Sequence, residues 1–166
     1  DAVKQIKAAS ITPICMGGKD KWPVHFVWIH LHIRNGGKGL FLESLNNGGW
    51  DRPEYIRSGE QMLELVELEP FQKGWLAATW PDQAGFFGDG KCAMAFMGNW
   101  MYGAQASNSA SGEGLGDSNM GMFNMPMTNG GLGDSGDTLG GINGWLFSSS
   151  ASDAAVELMM HYISLD

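Results

Sequence analysis

Apolar positions along this chain change period several times, and the changes divide it into alternating helices and strands. Val3, Ile6 and Ala9 share one side of a helix over Ala2–Ala9. Ile11–Met16 is a short apolar strand ending at Gly17-Gly18. Pro23 opens a helix that runs through HFVWIHLHI and meets a stop signal near Asn35-Gly36-Gly37. Phe41–Leu45 is a short helical or irregular piece. Tyr55, Ile56, Met62, Leu63, Val66 and Leu68 predict one amphipathic helix over Pro53–Leu68. Pro70–Thr79 is a connecting loop, and Pro81–Asp89 is a short helix closed by Gly88–Gly90. Cys92–Met97 is a strand, with a helix beginning near Asn99-Trp100. Ser107–Asn119 and Asn129–Gly141 are loops without an apolar face. Met120–Met127 and Trp145–Ser148 read as strands, and Ser152 or Asp153 caps a last helix, Ala154–Ile163. Strands alternating with helices predict an α/β domain.

Length and charge narrow the possibilities. A chain of 166 residues makes one domain with a real core, and is too short for two full ones. The net charge of −8 argues against nucleic acid and against an anionic membrane surface. No apolar run reaches the length of a membrane span. The chain opens in DAVKQIKAAS as if in mid-helix, so a native start lying further upstream, and with it any signal peptide, is expected. Seven tryptophans exceed what a core of this size needs, which places some of them at a surface. Cys15 and Cys92 both lie in apolar strand-like segments. Buried free thiols are the commoner state there, and a disulfide between them requires neighbouring strands.

The stretch Gly90–Gly103, GKCAMAFMGNWMYG, carries the most chemistry. Its strand breaks at Gly98 and presents Asn99 and Trp100 at the carboxyl end, where open α/β sheets bind ligands. An amide beside an indole suits a sugar, whose C–H face stacks on the ring while its hydroxyls take hydrogen bonds. Trp28 reads as core, whereas Trp50 and Trp75, next to glycines, read as pins for loops. Trp22 either lines a cleft or caps its helix. His25, His30 and His32 lack the i, i+3 or i, i+4 spacing of a helical metal site, and no cofactor or metal is expected. Glu60, Glu64 and Glu67 form the solvated face of their helix rather than a hydrolase's opposed pair. GEGLGD and GLGDSGD lack the strand and helix of a dinucleotide fingerprint. No nucleophile or carboxylate pair stands out, so an enzyme is not expected.

Taken in order, ITPICMGGKDKWP, DRPEY, EPFQKGW, FFGDGKCAMAFMGNW, a segment ending in MP, and GGINGWLFS resemble the sugar-binding extracellular solute-binding proteins of bacterial ABC importers. The resemblance covers nearly the whole chain, and corresponds mainly to the second of that family's two lobes. It implies a single lobe of a periplasmic-binding-protein-like fold, an open mixed sheet flanked by helices. Residues 1–139 would form that lobe, and 140–166 the crossing strand and helix belonging to the first lobe, which is missing from this chain. It also implies a periplasmic or extracellular location, a mono- or oligosaccharide ligand, and a permease partner for the full-length protein. Trp100 falls where the family sets a ring under the sugar, and Trp80 where relatives carry another aromatic. The segment from Lys19 to Trp22, including Asp20, lines the cleft, and Asn143 and Trp145 lie near the hinge. The implied ligand-binding set is therefore Trp22, Trp80, Trp100, Asn99, Asp20, Asn143 and Trp145. The alternative is a stand-alone fragment without a transport role that forms a homo-oligomer through its exposed inter-lobe surface, with the C-terminal helix exchanged between protomers.

Overall fold

Residues 1–141 and 144–164 are described by the computed structural model. Along the chain they form α1 (Ala2–Ala8), β1 (Thr12–Cys15), α2 (Trp22–Asn47), α3 (Pro53–Glu67), α4 (Trp80–Gly88), β2 (Cys92–Ala95), α5 (Met101–Asn108) and α6 (Asp153–Ile163). The α/β class read from the pattern holds. The sheet consists of β1 and β2 in parallel, with Thr12 opposite Cys92 and Ile14 opposite Met94. One further parallel bridge joins Ile14 to Phe71. Helix α4 packs on both strands and on α5, and α2 packs on α3.

The core lies where α2 crosses the end of β1. Met16, Val27 and Leu31 are buried there, with Met62 and Leu65 of α3, Phe71, Trp75, Phe96 and Met125 packed around them. Each of the three buried side chains contributes about 1.5–3 kcal/mol. Ile56 and Leu63, expected on the inner face of α3, are exposed instead, while its acidic row Glu60, Glu64 and Glu67 is solvated as expected. Trp28 is also a correction. Its ring lies at the surface as a cover over the buried His32, at 4.0 Å between centroids, rather than in the core.

The stop signal at Asn35-Gly36-Gly37 acts as a break within α2 instead of an end. Gly37 takes φ 74° and ψ 162°, after which the helix resumes and runs to Asn47. A break orphans the carbonyls of the preceding turn. The main-chain N–H groups of Leu132 and Gly133 donate to the Asn35 and Arg34 carbonyls at 3.0 and 3.1 Å. This approach needs a glycine at 133, since a Cβ there would stand 2.1 Å from the Ile33 carbonyl oxygen.

Three more sequence expectations are corrected. Cys15 and Cys92 form a disulfide, not two free thiols. The parallel pairing makes the two strands neighbours, and the Cys15 and Cys92 Cα atoms stand 5.5 Å apart. Met120–Met127 forms no strand. Its Met125 carbonyl accepts a hydrogen bond from Arg34 Nε at 2.9 Å instead of joining a ladder, and Met122 is 90% exposed. Trp145–Ser148 is likewise irregular and exposed. The final helix appears as expected, with the Ser152 side chain accepting from the Ala155 N–H.

Candidate ligand-binding site

Parallel pairing brings the carboxyl ends of β1 and β2 side by side, and each strand hands over to a helix through a glycine-containing loop. Trp22 is the first residue of α2, Trp80 the first of α4, and Trp100 the N-cap of α5. Three indoles therefore stand at three helix N-termini on one edge of the sheet. Trp22 and Trp80 lie 5.3 Å apart between ring centroids, with planes tilted by 56°. Phe26, one turn into α2, meets Trp22 edge-on at 5.6 Å and Trp100 at 5.9 Å. The four rings thus form a continuous row, Trp80–Trp22–Phe26–Trp100. Trp22, Phe26 and Trp80 are half-buried, and Trp100 is 47% exposed.

The loops beneath the row are bonded residue by residue. Gln72 pairs with both the N–H and the carbonyl of Met16, at 2.9 and 2.7 Å. The fully buried Gln83 accepts from the Gly17 N–H at 2.8 Å. Gly18 and Lys19 donate their N–H groups to the Trp75 and Ala78 carbonyls. A Cβ at Gly17 would stand 2.5 Å from the Thr79 carbonyl oxygen, so only glycine permits this approach. Trp75 closes over Gly18 and so pins its loop, as the sequence suggested. At the start of α4, Thr79 and Asp82 form a reciprocal capping box. The Thr79 N–H and hydroxyl hold the Asp82 carboxyl below its ordinary range, and Lys19 adds to the effect.

The expected residues are placed unevenly. Trp22, Trp80 and Asp20 meet directly, since Asp20 Oδ2 accepts the Trp80 N–H at 2.7 Å. Trp100 joins them through Phe26, and exposed Asn99 precedes it in the chain. The Trp100 indole folds back over Gly98, where any Cβ would collide with it. Trp145 stands apart from the row, edge-on to Tyr162 of α6 at 6.5 Å. Asn143 lies outside the described residues. Phe26 was missed, although its i+4 spacing from Trp22 puts both on one helix face. Gln72 and Gln83 carry no sequence signal, because an amide that caps a distant loop looks like any other.

Among the described residues, no three His, Cys, Asp or Glu side chains converge to hold a metal ion. A hollow of about 250 Å³ lined by Pro81, Asp82, Phe86, Asp89 and Asn108 takes in none of the expected residues. What the aromatic row offers is a set of flat apolar faces bordered by an amide and a carboxylate. That suits a neutral ring with polar edges.

Comparison with known proteins bears on the same region. The family model described as bacterial extracellular solute-binding protein matches residues 1–164. A solved structure from work on xylan utilization by the thermophilic bacterium Caldanaerobius polysaccharolyticus superposes with a TM-score of 0.75 at 28% identity, over 81% of this chain and 34% of that one. A chitin oligosaccharide binding protein gives 0.58 at 23% identity, over 63% and 26%. The bacterial solute receptor AcbH, whose title states a preference for β-D-galactopyranose, gives 0.57 at 22%, over 67% and 27%. This chain therefore spans about a third or less of each of these three solved chains. The comparison with curated proteins gives no match.

Proposed function

From the premise that this chain belongs to the bacterial extracellular solute-binding proteins, we propose that it is the second-lobe portion of a carbohydrate receptor serving an ABC importer. Residues 1–139 form the lobe, and 140–166 lead across to the other one. The observation that carries this reading is the row Trp80–Trp22–Phe26–Trp100 at the carboxyl edge of the parallel strands. Saccharide rings stack on Trp100 and Trp80, and Asn99 and Asp20 take hydroxyls. The role is binding, not catalysis. The Cys15–Cys92 disulfide supports a location outside the cytoplasm, where such bonds persist.

Each ring stacked in a dry cleft contributes roughly 1–3 kcal/mol, by analogy with burying an aromatic side chain. One lobe alone then binds in about the millimolar range, which corresponds to about −4 kcal/mol. Calorimetric or NMR titration with xylo- and chito-oligosaccharides and galactose tests this. Binding that Trp100→Ala weakens supports the site. An affinity untouched by that change removes it, and no binding across the panel removes the function.

A second reading has its own observation. Helix α6 buries no residue, and Leu158, Met160, Tyr162 and Ile163 on it are exposed. Trp145 and Leu146 nearby are exposed as well. Apolar surface of this extent supports self-association, with α6 exchanged between copies of the chain. Light scattering that shows only monomer at high concentration removes that reading.

A further inference from the structure

We propose that Asp20 is a positioning residue that sets the Trp22 and Trp80 indoles against one another; this rests on the proposed role of those rings. Asp20 acts on both rings at once. Its side chain accepts the Trp80 N–H at 2.7 Å, and its main-chain carbonyl accepts the Trp22 N–H at 2.7 Å.

The Trp80 N–H belongs to the first residue of α4, one of the donors a helix start leaves without an internal partner. Within α4, the Thr79–Asp82 capping box satisfies Thr79 and Asp82 but not Trp80. A carboxylate from another loop supplies the missing acceptor. It does so with a charge-assisted bond, at the end of the helix that favours negative charge.

On the other side, Lys21 adopts φ 64° and ψ −43°, positive φ in a residue with a side chain. With the Trp22 N–H bonded to the Asp20 carbonyl, this is the strained form of the three-residue turn. Such conformations persist only where the surroundings over-determine them. Here the surroundings are the bonds of Gly17, Gly18 and Lys19 to the 75–83 segment, and Asp20 is the last of that series before Trp22. The strained turn directs Trp22 back toward the residue that the Asp20 side chain holds. Trp22 and Trp80 end 5.3 Å apart, although 58 positions separate them in the chain.

The test needs no ligand. Two indoles this close couple in the circular dichroism spectrum, and the coupled signal is identified as the part lost in both Trp22→Phe and Trp80→Phe. Asp20→Ala is expected to remove most of that signal. Asp20→Asn, whose amide oxygen still accepts an N–H, is expected to keep it. Thermal unfolding of each variant verifies that the fold survives. An unchanged signal in Asp20→Ala overturns the proposal, as does an Asp20→Asn variant as defective as Asp20→Ala. Failure of every saccharide to bind, with the signal still responding to Asp20, removes the carbohydrate reading and leaves the positioning role standing.

Discussion

Leu139 donates its main-chain N–H to Nε2 of His30, 3.3 Å away. The opposite ring nitrogen of His30 lies 2.8 Å from the Phe26 carbonyl, which can only accept, so Nδ1 carries the proton and Nε2 is free to accept. Thr138 Oγ1 stands 3.2 Å from the same Nε2. One neutral imidazole thus ties α2 to the residues just before Gly140, where the proposed crossing segment begins.

Protonating His30 turns Nε2 into a donor and breaks the tie to Leu139. Burial lowers the His30 pKa, the bond to Phe26 opposes that, and the Arg34 guanidinium one turn along lowers it further. The edge of Phe96 faces the ring at 5.0 Å. The folded pKa lies below the unfolded one, so this stability is complete above about 6.5 and is lost as the pH falls below it. Amide exchange corrected for intrinsic rates should show the protection of Leu139 declining as the pH falls below about 6.5. His30→Phe should abolish that dependence.

His32 should produce a second acid-sensitive component. It is fully buried beneath Trp28 and stacked on Tyr55 at 4.5 Å, and neither ring nitrogen has a hydrogen-bond partner among the described residues. Burial lowers its pKa to about 4; the Trp28 carbonyl offsets only part of this, without meeting hydrogen-bond geometry. The unfolded chain therefore binds a proton between about 6.5 and 4 that the folded chain refuses. Stability should fall through that window as the pH is lowered, by roughly 3 kcal/mol at the upper bound. Denaturant unfolding across this range should show a flatter profile for His32→Phe, which keeps the stacking and removes the titrating group.

Arg34 should be the costliest side chain to lose in the loop-bearing half. It is fully buried, and its guanidinium donates to four main-chain carbonyls, those of Met125, Asp134, Ser135 and Asp137. Arg34→Ala strands these acceptors and should cost about 3 kcal/mol or more. Arg34→Lys should recover little, because an ammonium cannot reproduce the planar fork. Equilibrium urea unfolding of both variants measures this.

The Cys15–Cys92 disulfide closes a loop over 77 positions of sequence. Its loss should destabilise the domain by about 2–4 kcal/mol. A double Cys→Ser variant should melt at a lower temperature than the oxidised parent and match the reduced one. Peptide mapping without reductant should recover the linked pair.

Much of this was legible locally. The helix starts at Pro23, Pro53 and Ser152 follow from capping chemistry, and the 53–68 segment follows from its apolar spacing. The indoles at strand ends could be placed because a strand stopping on glycine is a local event. Phe26 as the link between Trp22 and Trp100 was not legible, since nothing near either tryptophan says which helix face turns toward the other loop. Nor was the loss of the 120–127 strand, whose alternation is sound but whose carbonyl is taken by an arginine 91 positions away.

Local spacing and end-capping by themselves determined where most of the helices begin, where β1 and β2 lie, and that tryptophans stand near their ends. Those signals act between residues a few positions apart. Only the tertiary structure decided that β1 and β2 are neighbours, that their cysteines bond, and that Asp20 holds Trp80. Each of these depends on which distant backbone supplies a partner for an orphaned N–H or carbonyl, and a pattern read along one chain carries no record of that choice.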